Sequence, residues 1–358
     1  MSTYNILILG ASYGSLLASK LLFGGHKVRL VCLPAEAELI NNEGLRVRLP
    51  VKGRRDLIEI DTRRLPGKVS AGEARGVDPR EFDLIALAMQ EPQYGSVGVR
   101  ELVGAIAKAR VPCVSVMNMP TLPYLRRIPG LRVGSLKPAF TEPSLWDEFD
   151  SGTFTQCSPD PQAIRPSGEP LNVLQVTLPT NFKVAQFDDT KGNAILKQLE
   201  REVDGARYDG PQGSMELPVK LRFHNSIFVP LAKWPMLVTG NYRCILSSGI
   251  RSAEEAVYNN LEESAAVYNF VLELCLKLGA SREDVVSFER YASAAKDLSR
   301  PSSVARALEN GATNVERVDK IVQLLGREAG VNHPVLDEIV GLLDQRVDTN
   351  RRSRGAAA

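Results

Sequence analysis

The first third of the chain alternates short apolar runs with stretches that repeat at helical spacing. Asn5–Leu9 is an apolar run that stops at a glycine, which is typical of a buried strand in a parallel sheet. Residues 15–23 follow with a helical stripe of leucines, and two glycines end it. Further strands are predicted at 28–33, 83–89 and 111–117, and a helix at 99–109. This order predicts an α/β domain with a doubly wound parallel sheet.

The middle of the chain has a different pattern. The stretch from Pro138 to Pro179 contains seven prolines, counting both ends, so a long helix cannot cross it. Short strands fit it better, and we predict them at 131–136 and 173–178, with a linker near 188–190. From Gly192 onward apolar residues recur at spacings of three and four, which predicts helices. The predicted helices cover 194–203, 217–232, 253–278, 282–296, 303–308, 314–329 and 334–346.

These patterns predict two domains and a tail. A chain of 358 residues is long enough for two domains of ordinary size. Residues 1–188 are expected to form the sheet-based domain and residues 189–347 an all-α domain. Residues 348–358 carry three arginines and end in three alanines, and we expect them to be disordered.

Composition and charge narrow the classes of function. Lys and Arg total 44 against 42 Asp and Glu, so no basic surface for nucleic acid is indicated. Five cysteines without close spacing indicate reduced thiols and a cytoplasmic protein, and three histidines argue against a histidine-rich metal site. No apolar run reaches the about 18 residues that a membrane span needs, and residues 1–9 lack the basic start of a signal peptide. We therefore expect no metal, no nucleic acid and no membrane partner.

A turn of small residues joins the first predicted strand to the first predicted helix. Dinucleotide-binding domains of the Rossmann type place the pyrophosphate here, because small residues let the backbone approach and the helix start offers free N–H groups. The turn keeps the first glycine of the usual three and has serines at two later positions. An ordinary strand-to-helix turn is the alternative. The predicted cofactor-binding residues are Gly10, Ala11, Ser12, Tyr13, Gly14 and Ser15.

Two further candidate positions follow predicted strands. Cofactor choice is normally made after the second strand, where an acid favours NAD and a base favours NADP. Leu33 stands there, so the sequence does not decide between the two cofactors. Asn118 ends a later buried strand and is predicted to bind the nicotinamide ribose or the substrate. The alternative for Asn118 is an Asx turn before Pro120.

A set of segments occurs in an order and spacing known from one enzyme family. The segments are 5–19, 25–31, 41–45, 83–88 with Asn118, 219–221 with Asn225, 230–231, 300–303, 311–316, and 325–331 with Pro334. Together they resemble the ketopantoate reductase family of NADP-dependent 2-oxo acid reductases over nearly the full length. The resemblance implies a Rossmann domain, a helical domain like that of 6-phosphogluconate dehydrogenase, and a cleft between them.

The resemblance also implies a catalytic group. The family uses a lysine on the first large helix of its second domain as proton donor, and Lys220 matches that lysine. The role suits the chemistry, because hydride addition to a C=O leaves an alkoxide that a cationic acid stabilises and protonates. His224 lies four residues on, on the same face of the predicted helix, and is an alternative acid or substrate ligand. The alternatives are a surface lysine and a buried structural histidine.

The chain departs from the family at several of its functional positions. The family has asparagines one and two helical turns after the lysine, whereas Asn225 lies five residues after Lys220. The basic cofactor contacts of the family are Leu33 and Gln90 here, and its substrate glutamate is Asn314. The changed polar set indicates a substrate other than ketopantoate, because an unpaired buried polar group costs about 1–3 kcal/mol.

Two other positions match substrate ligands of the family. Ser303, or its neighbour Ser302, matches the serine that holds the substrate carboxylate, and Asn241 matches a further asparagine. Both residue types are also common helix caps. The resemblance therefore implies a substrate-binding set of Asn118, Asn225, Asn241, Ser303 and Asn314.

We therefore expect a cytoplasmic NAD(P)-dependent dehydrogenase or reductase. It would move a hydride between nicotinamide and a small 2-oxo or 2-hydroxy acid, with NADP or NAD as cofactor. A homodimer is the default assembly. Two alternatives stay open: an opine- or imine-forming dehydrogenase that takes an amine with a 2-oxo acid, and a nucleotide-binding regulatory protein that has lost catalysis.

Overall fold

The computed structural model describes residues 2–210 and 213–356. Its strands are β1 (Asn5–Leu9), β2 (Lys27–Val31), β3 (Arg46–Leu49), β4 (Ile58–Asp61), β5 (Lys68–Gly72), β6 (Leu84–Leu87), β7 (Cys113–Val116), β8 (Phe154–Pro159), β9 (Gln162–Ile164), β10 (Val173–Leu178), β11 (Phe182–Ala185), β12 (Arg207–Gly210), β13 (Gly213–Glu216) and β14 (Leu221–His224). Its helices are α1 (Tyr13–Phe23), α2 (Pro34–Glu43), α3 (Val99–Ala109), α4 (Leu122–Leu125), α5 (Thr190–Gly205), α6 (Lys233–Met236), α7 (Ala253–Tyr258), α8 (Leu261–Lys277), α9 (Phe288–Ala295), α10 (Ser303–Glu309), α11 (Val318–Glu328) and α12 (Pro334–Ala356).

The chain divides into two compact units. Unit 1 comprises Met1–Met89, Gln93–Arg127 and Ser144–Ile227. Unit 2 comprises Gln90–Pro92, Ile128–Pro143 and Phe228–Ala358. The boundary between the sheet-based and the helical part therefore lies near residue 227 rather than at the predicted residue 188.

Unit 1 is built on a sheet with the strand order β14-β11-β8-β7-β6-β1-β2-β5. The six neighbouring strands β8, β7, β6, β1, β2 and β5 run parallel to one another. Strands β11 and β14, at one edge of the sheet, run in the opposite direction. The strand order reverses at β1, which pairs with β2 on one side and with β6 on the other. Helices α1 and α5 supply leucines to the core on one face of this sheet. The predicted doubly wound Rossmann-type fold is confirmed.

A second, smaller sheet belongs to the same unit and has the order β4-β3-β10-β9. Its strand β10 pairs in parallel with β3 and antiparallel with β9. Residues near 165 are thereby brought to the part of the chain that follows β2 and α2, although more than a hundred residues of sequence lie between them.

Unit 2 is helical, as predicted. The expected long helix at 253–278 is two helices, α7 and α8, because Asn260 caps a new helix by accepting a hydrogen bond from the backbone N–H of Glu263. The hydrophobic core of unit 2 includes Val257, Tyr268 and Tyr291. None of the helices within the described residues is long and apolar enough to cross a membrane.

The predicted helix at 217–232 is wrong. Leu221–His224 forms β14, which pairs in parallel with β11 and completes the large sheet. Val219 has a φ of 64°, a conformation that ends any helix and that a β-branched residue rarely adopts. The alternation of apolar and polar residues from Leu221 to His224 is the strand signal that the apolar content of the segment obscured.

Two other predictions also fail. The strand expected at 131–136 is a 3₁₀ turn at Val133–Ala139, where Pro138 has no N–H to donate to a strand partner. The tail expected to be disordered from residue 348 continues α12 as far as Ala356, and the last residues of that prediction, 357 and 358, lie outside the described part. Asn350 holds this end by donating to the carbonyls of Leu308 (2.8 Å) and Ala312 (2.9 Å).

Candidate functional site

The turn after β1 is shaped by two glycines. Gly10 has a φ of +99°, and a Cβ on it would lie 2.5 Å from Cγ of Met89 and 2.8 Å from the carbonyl oxygen of Ala88. A Cβ on Gly14 would lie 2.8 Å from the side chain of Ile8, so this glycine lets α1 approach β1. Only glycine at these two positions allows the turn to be this tight.

The start of α1 is open to an anion. The helix begins at Tyr13, and the exposed Ser12 before it makes no side-chain capping hydrogen bond. The first N–H groups of a helix without a cap carry a partial positive charge and need acceptors. Ser15 is different, because its hydroxyl is buried and donates to the carbonyl of Ala11. The turn therefore offers backbone N–H groups and Ser12, but not Ser15, to a phosphate.

Asn118 follows β7 and carries a buried acceptor. No residue in the described part of the chain donates a hydrogen bond to its Oδ1. The backbone on both sides is fixed, because Gln156 donates to the carbonyls of Met117 (2.7 Å) and Met119 (3.4 Å). Buried acceptors in native proteins almost always have a donor, so Asn118 Oδ1 is a candidate to accept a hydrogen bond from a ligand or an ordered water.

These features share one edge of the sheet. Strands β1, β2, β6 and β7 are parallel, so the residues that follow them meet at the carboxyl edge. The sheet reverses its strand order at β1, and ligands of open α/β sheets bind in the crevice at such a point. Gly10, Leu33 and Asn118 follow three of these strands, and Leu33 is 73% exposed. The sequence predicted the turn and Asn118 as cofactor contacts, and the structure places both at this common edge.

The segment after β2 has an unusual electrostatic character. Burial raises the pKa of the Cys32 thiol to about 12, so the thiol is neutral. Burial also raises the pKa of Glu36, in the first turn of α2, although the neighbouring Arg165 opposes this. Arg165 pairs with the Glu36 carboxylate, and its Nη2 also approaches the Ala11 carbonyl at 3.4 Å.

In unit 2, Lys233 and Asn241 stand on one helical path. Lys233 begins α6, and the helix continues as a π turn over Leu237–Asn241. An α turn takes about 3.6 residues and a π turn about one more, so the two together span about eight residues. Asn241, eight positions after Lys233, therefore returns to the same face, whereas a pure α-helix would overshoot by about 80°. Both residues are half-buried.

Tyr291 and Gly240 hold the π turn in place. The Tyr291 hydroxyl donates to the carbonyl of Met236 (3.2 Å), where the turn begins. A Cβ on Gly240 would lie 2.0 Å from that hydroxyl, so glycine makes room for the tyrosine. π turns of this kind are frequent at functional sites.

Other predicted residues lie close to Asn241. The Ser302 hydroxyl donates to the Asn241 carbonyl (2.6 Å) and caps α10, so Ser302 is a structural cap and the exposed Ser303 is the first residue of that helix. The neighbouring Tyr242 hydroxyl donates to the carbonyl of Glu316 (2.7 Å) and accepts from the N–H of Val318 (2.9 Å). Burial holds the pKa of Tyr242 well above its usual value. The side-chain amide of Asn241 itself bonds to none of the residues described.

Asn314 takes part in a contact with the end of α12. Its Oδ1 accepts a hydrogen bond from Nη2 of Arg351 (2.6 Å), and Nε of the same arginine donates to the carbonyl of Thr313 (3.1 Å). The loop that carries Asn314 and Glu316 is thus tied both to Tyr242 and to the C-terminal helix. Sequence reasoning did not predict this second tie, because the tail was expected to be disordered.

Lys220 lies in a different environment from the predicted one. It precedes β14 in unit 1 rather than lying on a helix of the second domain. Its ammonium, 6% exposed, contacts the Asp204 carbonyl (2.9 Å) and the carboxylates of Glu216 (3.1 Å) and Asp204 (3.7 Å). A buried ammonium held by a carbonyl and two carboxylates is the arrangement of a structural ion pair.

His224 and Asn225 are likewise displaced. His224 ends β14, and the exposed Asn225 follows it. Because β14 runs against β7, this end does not lie at the carboxyl edge that holds Asn118. The shared helix face expected for Lys220 and His224 does not exist. Gln90 belongs to the short segment Gln90–Pro92 of unit 2.

Comparison with known proteins gives a result for the fold. No protein-family model and no curated protein matches this sequence. Solved structures match it over nearly its whole length. A candidate ketopantoate reductase from Ralstonia solanacearum MolK2 has a TM-score of 0.66 at 16% identity, over 97% of this chain and 99% of that one. The chain has the ketopantoate reductase fold.

Two other structures with the ketopantoate reductase fold extend the comparison. D-mandelate dehydrogenase, solved with NADH and anilino(oxo)acetate, has a TM-score of 0.62 at 13% identity, over 97% of this chain and 99% of that one. The dimeric ketopantoate reductase of Staphylococcus aureus has a TM-score of 0.60 at 12% identity, over the same shares.

Sequence reasoning missed Lys233 and Arg165. Lys233 was missed because the apolar run at 217–232 was taken as the first helix of the second domain, which ended one residue before it. The spacing of eight residues from Lys233 to Asn241 corresponds to two helical turns and was a usable signal. Arg165 had no local signal, since only the pairing of β10 with β3 brings it to Ala11 and Glu36. Within the ketopantoate reductase fold these two residues stand in unit 2 and unit 1 respectively.

Proposed function

We propose that the protein is an NAD(P)-dependent oxidoreductase acting on a small 2-oxo or 2-hydroxy acid. In the reductive direction the carbonyl carbon gains a hydride and the carbonyl oxygen gains a proton, which gives the secondary alcohol. Bound NAD(P)H would supply the hydride. The protein's own tasks are to bind and orient both molecules and to deliver the proton.

The observation that carries the proposal is the carboxyl edge of unit 1. Its tight glycine turn, the uncapped start of α1 and the orphaned Asn118 oxygen fit the two ends of a dinucleotide. Gly10 and Ser12 would accept the pyrophosphate against the backbone. Asn118 Oδ1 would accept a hydrogen bond from a ribose hydroxyl or from the carboxamide.

Lys233 is the proton donor in this proposal, in place of Lys220. It begins the first helix of unit 2, which is where the family resemblance requires the catalytic lysine. Asn241, two helical turns on, carries an amide that would hold the substrate. An ammonium group both stabilises the alkoxide that forms after hydride addition and donates a proton to it.

Leu237 marks how the substrate would differ from ketopantoate. It stands one turn after Lys233, where the family has an asparagine, and it is buried. A leucine at that point removes a hydrogen-bonding partner and adds apolar surface. We therefore propose a substrate that is less polar than ketopantoate on the side that faces Leu237.

Direct binding tests this function. Titration of the purified protein with NADPH and with NADH, followed by nicotinamide fluorescence, is expected to give micromolar affinity for at least one of them. A panel of 2-oxo acids, each with and without an added amine, then separates a ketoacid reductase from an opine-type enzyme. Absence of binding by either cofactor would end the proposal.

The proposed assembly is a homodimer. The structurally similar reductase of Staphylococcus aureus is dimeric, and two-fold symmetric dimers are the commonest oligomers of soluble proteins. Sedimentation equilibrium of the full chain is expected to give twice the mass of 39.2 kDa.

A further inference from the structure

The helix that begins at Lys233 changes its hydrogen-bond register after one turn. The π turn over Leu237–Asn241 ends with the N–H of Tyr242, which donates to the carbonyl of Leu237, five residues earlier. The α register is the default for a helical segment, and π turns are rare inserts that occur frequently at functional sites. The surroundings of this turn must therefore favour the π register.

The Tyr291 hydroxyl stands where it competes with the α register. In an α-helix the N–H of residue 240 donates to the carbonyl of residue 236. Here the Tyr291 hydroxyl donates to the Met236 carbonyl (3.2 Å), and a Cβ on Gly240 would lie 2.0 Å from the same hydroxyl. The tyrosine thus lies against the two residues that an α turn would join by a hydrogen bond.

This hydroxyl is held in place by the core of unit 2 and not by the turn. Tyr291 lies on α9, is 5% exposed, and stacks its ring on that of Tyr268 with the ring centres 5.3 Å apart. Ser287 fixes the start of α9 by accepting a hydrogen bond from the N–H of Arg290 (3.4 Å). Burial raises the pKa of Tyr291 well above its usual value, so the hydroxyl keeps the proton that it donates.

The register decides which way Asn241 faces. Eight residues separate Lys233 from Asn241, and eight α steps of about 100° overshoot two full turns by about 80°. The π turn removes this overshoot, because it takes about one residue more than an α turn. In the π register Asn241 therefore shares a helix face with Lys233, whereas in the α register it would turn away by about 80°.

Building on the proposed function, in which Lys233 gives the proton and Asn241 holds the substrate, we propose that Tyr291 is a positioning residue of the active site. Its hydroxyl selects the π register and so keeps Asn241 on the helix face of Lys233. It acts through the backbone of the turn rather than on the substrate. Misplacement of a substrate-binding group by about 1 Å can slow a reaction by about 100-fold, so the register bears directly on catalysis.

Removal of that single oxygen tests the assignment. Tyr291→Phe keeps the ring but leaves the Met236 carbonyl to the N–H of Gly240, so the segment is expected to revert to an α turn. The kcat/KM for the best 2-oxo acid is expected to fall by about 10- to 100-fold, mostly through KM. The affinity for NADPH is expected to stay within about threefold, because the groups proposed to bind it belong to unit 1. A crystal structure of the variant is expected to show Asn241 rotated by about 80°.

Tyr268→Phe is the matched control. Tyr268 is a buried tyrosine of the same ring stack, and its hydroxyl donates to the carbonyl of Val286 (2.9 Å) rather than to a residue of the turn. Each variant loses one buried hydrogen bond, so the two melting temperatures are expected to fall by similar amounts. In the control, kcat/KM is expected to stay within about threefold.

A second pair of variants tests the contact itself. Gly240→Ala alone places a methyl group against the Tyr291 hydroxyl and is expected to lower the melting temperature strongly. In Tyr291→Phe/Gly240→Ala the nearest remaining atom is Cζ of the ring, 3.3 Å from that methyl group, so part of the lost thermal stability is expected to return. The double variant is expected to keep the low kcat/KM of Tyr291→Phe, because alanine favours the α-helix.

The outcomes separate this proposal from the proposed function. A low kcat/KM in Tyr291→Phe, with NADPH affinity and the Tyr268→Phe control unchanged, supports the role of Tyr291. An unchanged kcat/KM, a retained π turn in the crystal structure, an equal loss in the control, or no thermal recovery in the double variant overturns that role and leaves the proposed function intact. Failure of the unmodified protein to bind NADPH or NADH, or to reduce any 2-oxo acid, overturns both.

Discussion

Two lysines separated by a short stretch of chain stand in different parts of the fold. Lys220, in unit 1, is buried among the Asp204 carbonyl and the carboxylates of Asp204 and Glu216. Lys233, in unit 2, begins a helix and shares a face with the half-buried Asn241. Both follow apolar sequence, and a pattern of residue types alone does not separate them. What separates them is their place in the fold, because Lys220 precedes an edge strand of unit 1 whereas Lys233 begins a helix of unit 2 that leads to Asn241.

The same contrast holds for the two units as a whole. The carboxyl edge of unit 1 is formed by residues that directly follow strands, so its turn can be recognised in contiguous sequence. The polar cluster of unit 2 is assembled from three distant segments, around Asn241, Ser302 and Glu316, and depends on hydrogen bonds to backbone carbonyls. The site in unit 1 is therefore determined by local sequence, whereas the cluster in unit 2 is formed by tertiary contacts.

Replacing each lysine in turn by methionine tests which of the two is needed for catalysis. Lys233→Met is expected to lower kcat by about 10²- to 10⁴-fold, because it removes the proton donor. Lys220→Met is expected to leave kcat within about threefold, because that lysine serves only an ion pair. The measurement is steady-state oxidation of NADPH with the best 2-oxo acid of the panel.

Cofactor affinity provides the control for this exchange. Both variants are expected to bind NADPH as the unmodified protein does, since neither lysine lies in the glycine turn. If Lys220→Met lost activity and Lys233→Met kept it, the original assignment of Lys220 would be right and the structural argument for Lys233 wrong.

Features that depend on local sequence were predictable, and features that depend on tertiary pairing were not. The doubly wound sheet, the glycine turn, Asn118 and the helical second unit were predictable, because strand burial and helical periodicity are local. The strand β14 was not, because its four residues become a strand only by pairing with β11. Arg165 was invisible for the same reason, since its position depends on the pairing of β10 with β3. The tail was misjudged because Asn350 and Arg351 find partners in the folded loop at 308–314, which is distant in sequence.

The turn of unit 1 is tested by adding a single methyl group. Gly10→Ala is expected to lower the free energy of unfolding by about 2–4 kcal/mol, because the new Cβ meets the Ala88 carbonyl in a conformation that disfavours L residues. NADPH binding is expected to weaken as well. Gly25→Ala is the matched control, because its φ of +79° is also positive but nothing lies within 4 Å of the added Cβ.

Urea titrations of the two glycine variants separate crowding from backbone strain. The control is expected to lose about 1–2 kcal/mol, which is the cost of the left-handed conformation alone. An equal loss in both variants would mean that the contact between the turn and the end of β6 contributes nothing to the tightness of the site.

The buried surroundings of Lys220 predict a dependence of stability on pH. Lys20, on α1, has its pKa lowered to about 7 by burial and, to a lesser degree, by the charge of Lys220. The unfolded chain keeps a pKa near 10.4, so between about pH 7 and pH 10 it binds a proton that the folded protein does not. Unfolding free energy is therefore expected to rise with pH across this window, at up to about 1.4 kcal/mol per pH unit.

Lys20→Met isolates this effect. The variant is expected to be more stable than the unmodified protein at pH 6, where the buried ammonium is costly, and to lose that advantage towards pH 10. Urea unfolding at a series of pH values measures both slopes. Parallel curves for the two proteins would show that Lys20 titrates as it does in water and that the region around Lys220 is not desolvated.

The smallest expected effect concerns the second kind of site, the one built by tertiary contacts. Asn350→Ala removes two hydrogen bonds from α12 to the loop at 308–314, and the expected loss of unfolding free energy is about 1–2 kcal/mol. Ser353→Ala is the control, because that exposed hydroxyl bonds only within its own helix, to the carbonyl of Thr349. Since the same loop leads to Glu316 and Tyr242 beside Asn241, the KM for the 2-oxo acid is expected to rise in Asn350→Ala while the affinity for NADPH stays constant. A variant that loses stability without any change in KM would mean that α12 supports only the fold, and that the polar cluster around Asn241 is positioned by Ser302 and Tyr242 alone.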